Sequence, residues 1–237
     1  PEDRRRFLDI SLSQMSRNYF RSLQKYKKIL VQRNALLKNP DKDMVFDTLP
    51  VWDESLAVYG AKIIAERNEY VKKLAPYAAE AHFAITGGEE EMSVSGDYKY
   101  EGDEKEIFDA LVSVFKERME KDYELGYTTA GPHRDDLKIK VGGIDVRSYG
   151  SQGQQRTCSL SLKLAETEIF KDRFGEYPVL ILDDAMSELD KSRRKNLMER
   201  AKKMQTIITC TEPDCVPDCE RYKNIVIKGG KIKESGL

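Results

Sequence analysis

Cysteine is scarce in this chain of 237 residues. Its four copies, Cys158, Cys210, Cys215 and Cys219, are too few and too unevenly spread for a disulfide framework, which fits a reducing cytoplasm. The last three sit close together, but their spacing, the intervening Pro217 and the lack of a neighbouring histidine argue against zinc, and their role stays open. Long hydrophobic runs are missing too. No stretch approaches the ~18 consecutive apolar residues of a membrane span, and the first thirty positions hold five arginines where a secretion signal would have an apolar core. A cytoplasmic protein without membrane partners is the expectation. There is also no internal repeat, no low-complexity tract and no initial methionine. Pro1-Glu2-Asp3-Arg4-Arg5-Arg6 reads as a helix start whose preceding chain is absent, so a fragment is expected.

What is present is a chain 40% hydrophobic and 34% charged, long enough for one large domain or two small ones. Charge is balanced in total but segregated along the chain. Residues 4–38 hold ten Lys and Arg against one acid, a net of +9, whereas residues 39–130 hold ten basic and 21 acidic residues, a net of −11. The basic segment either tracks a phosphate backbone or lies against the acidic segment that follows it.

Periodicity divides the chain further. Leu8, Leu12, Met15, Tyr19, Leu23, Tyr26 and Leu30 recur at helical steps, predicting one helical stripe that ends near Asn39-Pro40. A second stripe, from Pro50 through Trp52, Leu56, Tyr59, Ile63, Tyr70, Leu74, Tyr77 and Ala81, predicts a helix that Pro76 should kink. The regular spacing marks these aromatics as packing core rather than a base-stacking platform. Alternation over 92–100 predicts a half-buried strand, and Ile107, Phe108, Leu111, Phe115 and Met119 a third helix. A hairpin turns at Gly142-Gly143, with Ile144 and Val146 on its second arm. Beyond it strands and helices alternate: helix Gln152 to Lys171, strand Val179 to Leu182, helix Lys191 to Met204, strand Thr206 to Thr211, and a closing hairpin of Tyr222–Ile227 with Lys231–Lys233. The pattern reads as an α/β protein: a mainly helical lobe with a small β element in 1–125, and a sheet packed with helices in 126–237.

Two segments carry chemistry. Val179-Leu180-Ile181-Leu182 runs into Asp183-Asp184, the form of a buried parallel strand delivering carboxylates to a sheet's carboxyl edge. Ser151-Gln152-Gly153-Gln154 opens a helix, with Gln154 placed to complete a capping box, and free N–H groups there favour an anion. His133 and Arg134, in the loop before the hairpin, are taken as structural or interface residues.

Ser151–Arg156 resembles the signature motif of ABC-type ATPases, Val179–Asp184 their Walker B strand, and Ser187–Asp190 their D-loop, in matching order. Within that class the chain resembles the RecF family, related to SMC-type ATPases, through Pro1–Asp9, Gly131–Leu137 and Tyr149–Leu164; over 10–125 the likeness rests mainly on helical pattern. The resemblance implies the C-terminal half of an ABC-type ATPase head. It implies Asp183 as the Mg²⁺ ligand and Asp184 as the residue polarising the attacking water. Ser151, Gln152, Gly153 and Gln154 would meet the ATP held by a second copy, Ser187 and Asp190 would line the dimer interface, and Thr211 stands at the sensor position where many relatives place histidine. It further implies an ATP-dependent homodimer clamping duplex DNA near single-strand junctions, working with RecR and RecO to load RecA in repair and the SOS response. Arg4, Arg5, Arg6, Arg17 and Arg21 are the candidate DNA contacts. The phosphate-cradling loop G-x-x-x-x-G-K-[ST] is nowhere in the sequence, Gly229-Gly230-Lys231 lacking its offset glycine and hydroxyl residue. ATP, Mg²⁺ and a weak ATPase activity are therefore expected of the complete protein only. Two other classes remain open: an ABC-type ATPase subunit of another system, a transporter or another SMC-like DNA-binding protein, and a plain interaction module.

Overall fold

A computed structural model describes residues 2–187, 189–211 and 223–236. The first stripe is broken into two helices, α1 (Glu2–Met15) and α2 (Arg17–Leu36). Ser16 breaks it: its backbone is extended and its hydroxyl accepts the Tyr19 N–H at 3.1 Å, capping α2. The chain doubles back there, because Asp9 meets the Tyr19 hydroxyl at 2.6 Å and Lys27 Nζ at 3.9 Å. A single straight helix would hold residues 9 and 27 about 27 Å apart.

The second helix also departs from expectation. α3 (Lys42–Ile85) starts eight residues before Pro50 and stays helical through Pro50 and Pro76. Asp41 caps it, accepting Met44 N–H at 3.1 Å. An internal proline costs ~3 kcal/mol or more, but burying Val45 and Leu49 against Leu37 offsets this at roughly 1.5–3 kcal/mol per side chain. α3 is the spine of the molecule, packing on α2, α4 (Glu104–Glu117), α7 (Gln152–Phe174) and β1 (Met92–Asp97). A short α5 (Met119–Leu125) follows α4 and ends on Gly126 in the left-handed region.

β1, β2 (Asp136–Val141) and β3 (Ile144–Asp145) form an antiparallel sheet in that order. The hairpin's second arm is shorter than expected, since Val146 begins α6 (Val146–Tyr149), capped by Asp145 through the Ser148 N–H at 3.0 Å. β4 (Leu180–Asp183) and β5 (Thr206–Thr209) pair in parallel, with α8 (Lys191–Ala201) between them. β5 stops two residues before Thr211. β6 (Asn224–Lys228) and β7 (Lys231–Gly236) close the chain as a hairpin; the expected start at Tyr222 lies outside the described residues, as do Cys215 and Cys219.

The main apolar cluster joins α1 to α4 with Leu137, Val141, Cys158, Leu162 and Ile169, so it draws on both sides of position 125. A second cluster, with Ala81, Ile85, Leu164, Leu180, Leu182 and Leu197, seats β4 and α8 against the far end of α3 and α7. Among the described residues no helix is long and apolar enough to cross a membrane.

Candidate functional site

The two carboxylates stand where a parallel strand ends. Leu180 and Leu182 point into the second cluster, so the alternation of the strand turns Asp183 outward, and it is exposed. Strand register sets Thr209 opposite Asp183, and the Thr209 hydroxyl donates to Asp183 Oδ1. The same threonine holds the next residue: its hydroxyl and carbonyl oxygens accept the Asp184 N–H at 3.1 and 3.2 Å. Asp184 has φ 49°, the single positive φ outside glycine among the described residues. Asp tolerates this left-handed conformation better than longer or branched side chains. The Ser187 hydroxyl then donates to the Asp184 carbonyl at 2.9 Å, fixing the turn.

Ser151 opens α7 with the capping box that its sequence spacing predicts. Its hydroxyl accepts the Gln154 N–H at 3.2 Å and Gln154 Oε1 accepts the Ser151 N–H at 3.1 Å. That leaves the Gln152 and Gly153 N–H groups, which among the described residues meet no acceptor. Ser151 and Gln152 are exposed, and a Cβ placed on Gly153 would touch nothing closer than Arg193 Nη1 at 3.7 Å. No neighbour in the chain demands glycine there, although glycine costs roughly 1 kcal/mol relative to alanine inside a helix. Gln152, Gln155, Arg156 and Ser159 of α7 share a groove of about 690 Å³ with Asp183, Asp184 and Leu189. Asp190 caps α8 through the Arg193 N–H at 2.9 Å and keeps an exposed face.

Other predicted residues stand apart. Thr211 is exposed on a bend past β5, and the strand-end hydroxyl beside the carboxylates is that of Thr209. Among the basic candidates, Arg4 is paired bidentately with Asp136 and Arg5 donates to the Asp135 carbonyl at 2.8 Å, while Arg6, Arg17 and Arg21 are exposed. Within the same +9 segment Arg33 is fully buried against Asp53 and Asp122, so part of its charge does lie against the acidic segment. His133 is half-buried between the Tyr26 hydroxyl at 2.6 Å and the Thr128 carbonyl at 3.0 Å, and Arg134 stacks on Tyr127. Sequence reasoning missed Thr209, Arg193 and Glu90. The register of two parallel strands would have found the first; nothing in the one-dimensional pattern marks the others.

For a metal, Asp183 offers one outward carboxylate, and among the described residues no group of three or more His, Cys, Asp or Glu side chains gathers. That donor set suits Mg²⁺, which keeps waters and phosphate oxygens alongside one or two carboxylates.

No protein-family model matches the chain. It is 46% identical over 217 residues to the DNA replication and repair protein RecF of Clostridium tetani, covering 89% of this chain and 58% of that protein. It is 43% identical over 239 residues to the protein of the same name from Clostridium botulinum strain 657, covering 98% and 64%. Among solved structures, one of the recombination mediator protein RecF with ATP, in the RecFOR pathway, matches with a TM-score of 0.81 at 34% identity, covering all of this chain and 63% of that one. The chain thus spans about three-fifths of the length of the proteins it matches. The match runs through residues 10–125, where the sequence by itself offered mainly a helical pattern.

Proposed function

The chain is homologous to RecF along nearly its whole length and has the fold of the corresponding part of the RecF ATPase head, and from that premise we propose that it forms the DNA-lobe and signature half of a replication and repair ATPase that dimerises on ATP. One observation carries the reading: two outward carboxylates at a parallel strand end share a groove with Gln152, Gln155 and Arg156 of α7, at the end of that helix where the Gln152 and Gly153 N–H groups are left over by the capping box. Asp183, steadied by Thr209, holds Mg²⁺, which supplies charge neutralisation at the phosphates. Asp184, aimed by its left-handed backbone, orients the attacking water. Ser151, Gln152, Gly153 and Gln154 face the γ-phosphate of ATP carried by a second copy, the Gln152 and Gly153 N–H groups that the capping box leaves over donating to it, where glycine lets the phosphate approach. Ser187 and Asp190 line the same interface. Arg6, Arg17 and Arg21, exposed along α1 and α2, contact the DNA backbone near a single-strand junction, with RecR and RecO as co-workers in loading RecA.

In the full-length protein, Asp183→Asn is expected to abolish Mg²⁺-dependent ATP hydrolysis while nucleotide still binds. Ser151→Arg is expected to bind ATP yet sediment as a monomer, since its side chain fills the phosphate slot; an intact ATP-dependent dimer overturns the assignment. Replacing Arg6, Arg17 and Arg21 by Ala should weaken DNA binding and flatten its salt dependence by about one slope unit per lost contact.

A further inference from the structure

Glu90 lies on the turn between α3 and β1, and Arg193 is the third residue of α8; neither belongs to a motif. Arg193 nevertheless links the Asp190 turn to the first turns of α7. Its backbone N–H donates to Asp190 Oδ1 at 2.9 Å and its Nε stands 3.4 Å from Asp190 Oδ2, while Nη1 donates to the Thr157 hydroxyl at 3.0 Å. Thr157 passes the contact on, donating to the Gly153 carbonyl at 2.8 Å. Nη2 reaches Glu90 Oε1 at 3.3 Å, and that oxygen also accepts from Gln154 Nε2 at 3.4 Å. The other Glu90 oxygen meets His82 Nε2 of α3 at 3.2 Å. Both charged side chains are about four-fifths shielded, so solvent screens the pair less than a surface ion pair.

We propose that Arg193 and Glu90 are positioning residues that lock the α7 N-terminus and the Asp190 turn into one rigid face for the second copy. The inference rests on the reading above that ATP is shared across two chains. A planar guanidinium suits the task because it donates in several directions at once, to Thr157, to Glu90 and along Asp190, which an ammonium cannot do from one position. Loss of the fork leaves Gly153 and Gln154 anchored to α7 alone, free to shift relative to Asp190. The shared face would then be assembled only at the moment of dimerisation, at the expense of affinity.

The test uses the full-length protein with ATP, reading nucleotide affinity, melting temperature and the dimer dissociation constant by analytical ultracentrifugation. Arg193→Gln should weaken dimerisation at least tenfold with ATP affinity changed less than twofold, and Arg193→Lys should fall between it and the wild type. The isosteric Glu90→Gln, which removes charge with little change of shape, should weaken it about threefold. Combining the two should cost no more than Arg193→Gln alone, because both break one clamp. Wild-type dimer affinity in Arg193→Gln, or additive losses in the double variant, overturns the inference while leaving the shared-nucleotide reading intact. Failure of the wild type to dimerise, or normal dimerisation of Ser151→Arg, overturns that reading and this inference with it.

Discussion

In the helical lobe Arg33 is fully buried, its guanidinium held by Asp53, by Asp122 at 2.7 Å and by the Thr128 hydroxyl at 2.8 Å, and it lies over the Phe115 ring. At the end of β4, Asp183 and Asp184 stand exposed, with one threonine between them. The apolar surroundings differ in the same sense. Leu49, Leu56, Ile63, Ile64 and Leu74 of α3 are wholly buried, whereas β4 buries Leu180 and Leu182 but leaves Ile181 65% exposed. Charge buried inside the lobe is costly without a counter-charge, and although Arg33 Nη2 is left without a hydrogen-bond partner among the described residues, the ion pairs to Asp53 and Asp122 fix how α2, α3 and α5 meet. Charge at the strand end keeps its solvent and stays available to a ligand. Damage to the lobe should therefore register as lost stability, and damage at the strand end as lost chemistry.

The sharpest way to break this contrast is Arg33→Met. It leaves Asp53 and Asp122 buried without a counter-charge, and removing one partner of such a group typically costs ~3–5 kcal/mol. Urea unfolding followed by circular dichroism should show a loss of that order. A loss below about 1 kcal/mol would mean that water reaches these carboxylates and that the lobe is no drier than the strand end.

Acid should find the lobe next. His133 Nδ1 accepts from the Tyr26 hydroxyl and Nε2–H donates to the Thr128 carbonyl, so its partners suit the neutral ring, and burial pushes its pKa down to about 4. An unfolded histidine binds its proton near pH 6.5, so between there and pH 4 the unfolded chain holds the extra proton. The contribution is present above pH 6.5 and fades on acidification, by on the order of 3 kcal/mol in full. His82, the other histidine, is also pushed down by burial, though Glu90 opposes the shift. Melting temperatures from pH 7 to 4 should fall less steeply for His133→Gln than for wild type; parallel profiles would show that the lobe admits the proton without penalty.

The sequence displayed these regions unevenly. The Ser151 capping box and the strand carrying Asp183 were legible because both are local: one is a spacing of three residues, the other an apolar run ending in acids. The break at Ser16 was hidden because the apolar stripe keeps its step from Leu12 through Met15 to Tyr19, so periodicity continues where the axis does not. Pro50 suggested a start because its cost is local, while the burial of Val45 and Leu49 that outweighs it is tertiary. Thr209 and Arg193 act over 26 and 36 residues, on Asp183 and Thr157 respectively, distances at which a linear pattern carries no signal. Arg33 looked like one more cation on a basic face until α3 and α5 closed over it.

The smallest effect sharpens the contrast most. Thr209→Val keeps a β-branched side chain of similar size on β5, so the strand and its pairing with β4 should persist, but it removes the hydroxyl that donates to Asp183 and accepts from the Asp184 N–H. Because both carboxylates are exposed, water can replace the lost bond, and the loss of stability should stay at roughly 0.5–1.5 kcal/mol, well under that of Arg33→Met. The effect on chemistry should be larger. An unsteadied Asp183 samples more orientations, so in the full-length protein the concentration of Mg²⁺ giving half-maximal ATP hydrolysis should rise severalfold, and Thr209→Ser, which restores the hydroxyl, should recover most of it. If Thr209→Val instead unfolds as readily as Arg33→Met, the strand end is held by the same buried polar bonding as the lobe and the division between the two regions disappears.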